Sequence, residues 1–251
     1  MDKQELIKAL RPEDFGVVNR AQIDAMQEML DTSGIENLHL ALKNWVFDTD
    51  SFGPMVKHPF VYLSLANGLL VGNANKMYAA KIKCRRDYLD RKFWWGYLMA
   101  HERPYRMRAL EKLWRRKKIS MDELRELLSD MWTDCEMPQT NQDQPMFLFH
   151  EAGFTTDNPE GWDKLKTRKW FKLYRGVDYD LELTADGPSW TFSRKTAEFF
   201  AYRYGAKGDV FSYRATPAEA LAYFTGRDEA EIILDFENAS NPNRIKLVEK
   251  K

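Results

Sequence analysis

The sequence predicts an α+β protein in which a largely helical half, residues 1–145, precedes a strand-bearing half, residues 146–251. Three observations carry that division. Apolar residues of the first half recur at helical spacing, whereas those after 170 fall in short β-branched and aromatic runs. Between the two, from 134 to 159, the periodicity gives way to Glu136, Pro138, Thr140, Asn141, Gln142 and Pro145, a composition that favours turns over packed elements. At 251 residues the chain can bury a sizeable core in one large domain or two small ones.

In chain order, helices are expected over 5–10, 19–30 and 35–45, with Ser33 and Gly34 separating the last two. Pro54, Pro59, Gly68 and Gly72 punctuate the next stretch, after which 76–100 reads as one long, basic and aromatic helix. Two further helices follow at 106–116 and 120–131; Ser120 with Glu123 three residues on has capping-box spacing. Strands are expected at 170–177, 210–215 and 231–236. Between the first two, Ala197, Phe200, Ala201 and Tyr204 share one helix face, and Ser193 is placed to cap that helix. From Glu237 onward the chain is polar enough to fray.

Met1 is followed by Asp2, Lys3, Gln4 and Glu5, with no basic segment leading into an apolar one, so no signal peptide is expected. The longest apolar stretch, 60–71, is interrupted by Ser64, Asn67 and Gly68 and is too short to span a bilayer. These features predict a cytoplasmic protein without a membrane partner. Cys84 and Cys135 lack the spacing of a disulfide framework or a zinc site. His39, His58, His101 and His150 stand apart from one another, so packing or surface roles and no metal are expected.

A formal net charge of zero hides an uneven distribution. Residues 76–118 hold fifteen Lys or Arg against Asp87, Asp90, Glu102 and Glu111, a local net of +11 that the rest of the chain balances. Tyr88, Phe93, Trp94, Trp95, Tyr97, Tyr105 and Trp114 are interleaved with these cations. Phosphate-neutralising charge beside stacking surfaces suits single-stranded nucleic acid. A helix with a solvated charged face and an aromatic core face has the same composition, and both readings stay open.

Three short motifs carry the chemistry. Leu173-Tyr174-Arg175-Gly176 lies in a predicted strand, Ser189-Trp190-Thr191 precedes a helix, and Arg227-Asp228-Glu229-Ala230-Glu231 opens an apolar strand. Period-two alternation would put Glu229 and Glu231 on one strand face. Each motif alone also fits a bland role: a salt-bridged Arg, a turn and cap, a solvated strand edge. In this order and spacing, together with Gly187, Ala197, Phe200-Ala201, Tyr213-Arg214-Ala215, Ala220, Tyr223 and Gly226, they resemble the signature of the arginine-serine-glutamate class of ADP-ribosyltransferases.

The resemblance covers about 173–236 and implies an ADP-ribosyltransferase-like split β-sheet core that takes NAD as substrate. Arg175 offers a permanently charged fork suited to the NAD diphosphate. Gly176 permits close backbone approach, which the family uses for the nicotinamide amide. Breaking the nicotinamide–ribose bond builds an oxocarbenium-like cation, so Glu231, holding the ribose hydroxyls, would stabilise charge where it develops. Glu229 would orient or deprotonate the incoming nucleophile. The family assigns Ser189 to the catalytic Glu or the nicotinamide ribose; Trp190 departs from the commoner Ser-Thr-Ser form and leaves the role of Thr191 open.

By position, Tyr223, Phe224 and Arg227 correspond to the loop with which such enzymes recognise their acceptor, core packing being the alternative. Phe199, Phe200, Tyr202 and Tyr204 are candidates for stacking on nicotinamide. The implied function is a mono-ADP-ribosyltransferase acting on RNA, DNA or protein, similar to toxins of bacterial toxin–antitoxin and phage-defence systems, with an antitoxin as a further partner. An NAD glycohydrolase and a catalytically silent nucleic-acid- or partner-binding relative are the alternatives.

Overall fold

The computed structural model describes residues 34–49, 53–65, 68–134, 143–179, 184–205, 207–226, 229–236, 238 and 240–248. The helices expected at 5–10 and 19–30 lie outside them, as do Cys135 and Arg227. Among the described residues the chain is mixed α and β with two sheets, and it divides into two compact units, 1–105 and 106–251.

The first unit is not purely helical. Short α1 (Leu40–Lys43) leads into an antiparallel meander of β1 (Val46–Thr49), β2 (Gly53–His58) and β3 (Val61–Ser64). This is the stretch whose prolines and glycines suggested only punctuation. Pro59 and Phe60 instead form the tight turn between His58 and Val61, which pair across it. Leu38, Leu42, Val56, Val61, Leu65, Val71 and Ala74 form the core beneath it.

The long basic helix breaks in two, α2 (Gly68–Asp90) and α3 (Trp94–Met99). Lys92 sits at φ +54°, in the left-handed region. Its N–H donates to the Leu89 carbonyl and that of Phe93 to the Tyr88 carbonyl, the paired bonds of a Schellman stop. Phe93 packs on Tyr88 at 5.4 Å between ring centroids, adding the apolar contact that accompanies that motif.

In the second unit, α4 (Arg106–Arg115), α5 (Met121–Asp134) and α6 (Asp143–Ala152) pack through Leu110, Leu124, Leu128, Met131, Leu148 and Phe149. The sequence-based boundary at 145/146 therefore falls inside this unit, because α4 and α5 bury their apolar stripes against α6. Reciprocal bonds between Ser120 and Glu123 open α5 as the capping box predicts.

β4 (Thr155–Thr156) and α7 (Pro159–Leu165) follow, and then β5 (Phe171–Asp178), β6 (Ser189–Thr191), α8 (Arg194–Tyr202), β7 (Gly208–Ala215), β8 (Ala220–Phe224), β9 (Glu231–Leu234) and β10 (Lys246–Leu247). The strands form one sheet in the order β10-β7-β5-β6-β9-β8-β4, antiparallel except for β4 beside β8. Phe171, Leu173, Trp190, Tyr213, Ile232 and Leu234 fill the core on one sheet face. Ser193 caps α8 through Thr196 N–H at 3.1 Å, as expected. The described part of the tail is tied to the sheet instead: Lys246 pairs with Ser212, and Val248 N–H donates to the Val210 carbonyl at 2.8 Å.

Candidate functional site

The sheet order brings the three motifs side by side. β5 carries Arg175, β6 carries Ser189 and Thr191, and β9 begins at Glu231, with β6 between the other two. Thr191 lies opposite Tyr174 on one side and opposite Glu231 on the other. Residues opposite one another in antiparallel strands share a face, so Tyr174, Ser189, Thr191 and Glu231 project from the same side of the sheet.

Glu231 is buried, 9 % exposed, and both of its carboxylate oxygens accept hydrogen bonds. Ser189 Oγ donates to Oε1 across 42 residues of sequence. Trp132 Nε1 donates to Oε2 at 2.9 Å across 99 residues. Nothing along the chain marks Trp132, which lies on an amphipathic helix among Leu124, Leu127, Leu128 and Met131 and reads there as core. Its ring also meets Phe149 edge-on, at 5.3 Å between centroids, which fixes the direction of the indole N–H.

Arg175 turns inward. Its Nη1 donates to the Ser189 carbonyl at 2.8 Å and its Nε to the Thr184 carbonyl at 3.1 Å. The guanidinium lies over Gly187, where a Cβ would sit 2.2 Å from Nη2. Burial lowers its pKa to about 10, against the opposing pull of the Glu231 and Asp186 carboxylates, so it stays charged at neutral pH. In this arrangement Arg175 fastens the segment that carries Ser189, in place of the outward fork expected for a diphosphate.

Two other expectations change. Gly176 serves helix packing: a Cβ there would lie 2.0 Å from the Ala197 carbonyl oxygen and 2.7 Å from Ala201 N. Its absent side chain lets α8 cross β5, and no ligand contact is needed to explain it. Glu229 is not in β9, and Ala230 has φ +43°. A left-handed residue breaks the alternation that would have put Glu229 and Glu231 on one face.

Thr191 acquires a role that its sequence position left open. Its Oγ1 donates to the Glu229 carbonyl at 2.6 Å and accepts from Ser193 N–H at 3.1 Å. One hydroxyl thus ties the turn before Glu231 to the start of α8. Asp157 holds the other end of that turn, accepting from Thr225 N–H at 2.8 Å and Gly226 N–H at 3.0 Å.

Tyr223 and Phe224, expected at the acceptor, are core residues. Tyr223 is 8 % exposed and packs against Trp162 and Phe192, while Phe224, 2 % exposed, meets Phe149. Residues opposite both on β9 are buried too, so neither ring has a solvent side. Of the candidate nicotinamide stackers, Phe199 and Tyr202 are exposed and Phe200 is half-buried under Arg203; the Tyr204 side chain lies outside the described part.

The basic stretch is divided at 105/106 between the two units. Several of its cations are engaged locally: Lys81 with Glu102, Arg91 with Asp87, Arg106 with Asp134 and Arg115 with Glu111. Trp94 and Tyr97 are buried, whereas Phe93 and Trp95 are exposed. Among the histidines, His58 is buried and His101 Nδ1 lies 2.8 Å from the Tyr97 carbonyl oxygen. His39 caps α1 and His150 meets Asp235 at 3.1 Å. Among the described residues no helix is long and apolar enough to cross a membrane, and no group of three or more His, Cys, Asp or Glu could hold a metal ion.

No family model, no curated protein and no solved structure matches the chain.

Proposed function

We propose that the second unit is an NAD-consuming mono-ADP-ribosyltransferase that passes ADP-ribose to a macromolecular acceptor, as a bacterial toxin or phage-defence effector would. The supporting observation is the Ser189–Glu231 hydrogen bond beside a buried, charged Arg175, assembled from positions 14 and 42 residues apart. In this reading NAD loses neutral nicotinamide as the glycosidic electron pair moves to the ring nitrogen. The ribose is left with oxocarbenium character, which an oriented carboxylate stabilises as it forms.

Glu231 supplies that charge. The bonds from Ser189 and Trp132 fix the plane of its carboxylate, and in this reading ribose hydroxyls donate to the same oxygens. Arg175 secures the Ser189 segment and keeps a positive charge near the site, the sign a diphosphate requires. Glu229 receives the acceptor's nucleophile, its backbone held by Thr191. The burial of Tyr223 and Phe224 removes the aromatic acceptor contacts first expected, and this favours NAD glycohydrolysis, with water as the acceptor, as the second reading.

Incubation with adenylate-labelled NAD and a cell lysate, followed by separate protease and nuclease digestion, tests the proposal. Label is expected on macromolecules, and Glu231→Gln is expected to lower turnover by about a hundredfold or more. Free nicotinamide without transferred label would establish the glycohydrolase. Turnover surviving Glu231→Gln, or absent from the wild type, would refute the site.

A further inference from the structure

We infer that the exposed end of the sheet formed by Trp170, Lys172, Arg214 and Lys246 binds single-stranded nucleic acid. Lys172 on β5 lies directly opposite Arg214 on β7, and Lys246 on β10 lies opposite Ser212, two residues before Arg214. Side chains two apart on a strand, and those paired across strands, share a face, so the three cations form one row. All three are exposed. The row shares the sheet face of Tyr174, Thr191 and Glu231.

Like charges directly opposite across a ladder destabilise it. Among the described residues no carboxylate pairs with Lys172, Arg214 or Lys246, nor with the exposed Arg168 and Lys169 just before the row. Residues 164–172 contain five cations and no acid, and among the described residues only Lys166 of the five is ion-paired, with Asp163 just before them. A polyanion laid across this row turns an unfavourable pairing into a favourable one, and releases counterions as it binds.

Charge alone would serve any polyanion; the aromatic components select among them. Trp170 is 44 % exposed and the Arg214 guanidinium lies 4.3 Å from its ring centroid, with Lys172 Nζ 5.2 Å from the Tyr174 ring. An exposed indole beside cations offers a base its π-face and a phosphate its charge, the combination by which single strands are held without sequence preference. An acidic polypeptide would use the cations and leave the indole idle. The binding itself stands apart from the NAD reading; only the further step, that the bound strand is the acceptor, rests on it.

The test is fluorescence anisotropy of a labelled oligothymidylate of about twelve nucleotides with the full chain between about 50 and 200 mM salt. Lys172→Glu with Arg214→Glu is expected to weaken binding at least about tenfold, and to make the log–log salt slope shallower by about 1.4, two contacts at about 0.7 each. Trp170→Ala is expected to weaken binding about tenfold with the slope kept, and Glu231→Gln to bind like the wild type. Circular dichroism checks folding; should the double reversal misfold, Lys246→Glu and Trp170→Ala singly carry the test. The inference is overturned if the oligonucleotide does not bind, or if only neutralising Arg115, Arg116, Lys117 and Lys118 abolishes binding. Polyglutamate competing as well as oligothymidylate, with Trp170→Ala silent, would also overturn it and point to an acidic polypeptide.

Discussion

Glu231 is gripped from two directions, by a serine on the neighbouring strand and by an indole on a helix 99 residues earlier. Hydrogen bonds to a charged group are each worth about 1.5–3 kcal/mol net, and a buried carboxylate depends on them because water is not there to replace them. Trp132→Phe keeps the ring packing on Phe149 and removes only the donor. We expect it to destabilise the second unit by about 2 kcal/mol, read as a lower urea midpoint with an unchanged slope. With Glu231 as the proposed ribose-binding group, the same change lowers kcat by about tenfold to a hundredfold and leaves KM nearly constant. An unchanged midpoint together with unchanged turnover would remove Trp132 from the site. The serine was legible in the sequence because it belongs to an ordered set of chemistry-bearing residues. The tryptophan was not, because on an amphipathic helix it is indistinguishable from core.

At the scale of elements, α8 lies on β5 at Gly176 with backbone almost touching backbone, and Ala197 and Ala201 are its buried contact residues. Any Cβ at 176 meets a peptide group, which cannot swing aside as a side chain can. Gly176→Ala is therefore expected to cost about 3 kcal/mol. It should also loosen α8 around Ala197 and Ala201, seen as faster amide exchange over 194–202. Protection equal to the wild type would show that the helix shifts without loss. Local signals at helix starts were legible at Ser120 and Ser193, since a cap needs only its own first turn. The stop at Lys92 was not: at φ +54° it ends its helix in a conformation usually given to glycine, so residue type pointed to continuation. Likewise Ala230 in the left-handed region overturned a strand alternation that the Glu-Ala-Glu pattern suggested.

At the scale of the molecule, the two units should respond to acid over different ranges. His58 in the first unit has its pKa lowered, chiefly by burial and further by the charge of His39, from an ordinary 6.5. A base whose folded pKa is depressed gains its proton first in the unfolded chain. The contribution of His58 to the first unit is therefore fully present above about pH 6.5 and declines as pH falls below. Protonation would also remove the acceptor that His58 Nδ1 offers to Phe60 N–H at 3.1 Å. In the second unit burial pushes Glu219 up, but bonds from Tyr213 and Thr216 and the charge of Arg244 outweigh it and hold the carboxyl below its ordinary 4.5. Its contribution is present above that value and lost as pH falls through the lower, folded pKa. Amide exchange at about pH 7.5 and 5.5 should thus show protection falling over 53–65 while 208–224 holds. Uniform change in both units, or none over 53–65, would contradict this assignment.

What the sequence determined by itself were the features set by neighbours along the chain: the change of period near 170, the caps of α5 and α8, the approximate places of β5, β7 and β9, and the ordered appearance of Arg175, Ser189 and Glu231. Only the tertiary structure decided that Arg175 points inward, that Tyr223 and Phe224 are core, that Gly176 lies beneath a helix and that Trp132 reaches Glu231. The physical reason is range. Caps and periodicity depend on bonds within a turn or a face and so are written in a few consecutive residues. Which groups meet across 14, 42 or 99 positions depends on strand order and helix placement, which arise from burying apolar surface collectively and leave no local mark.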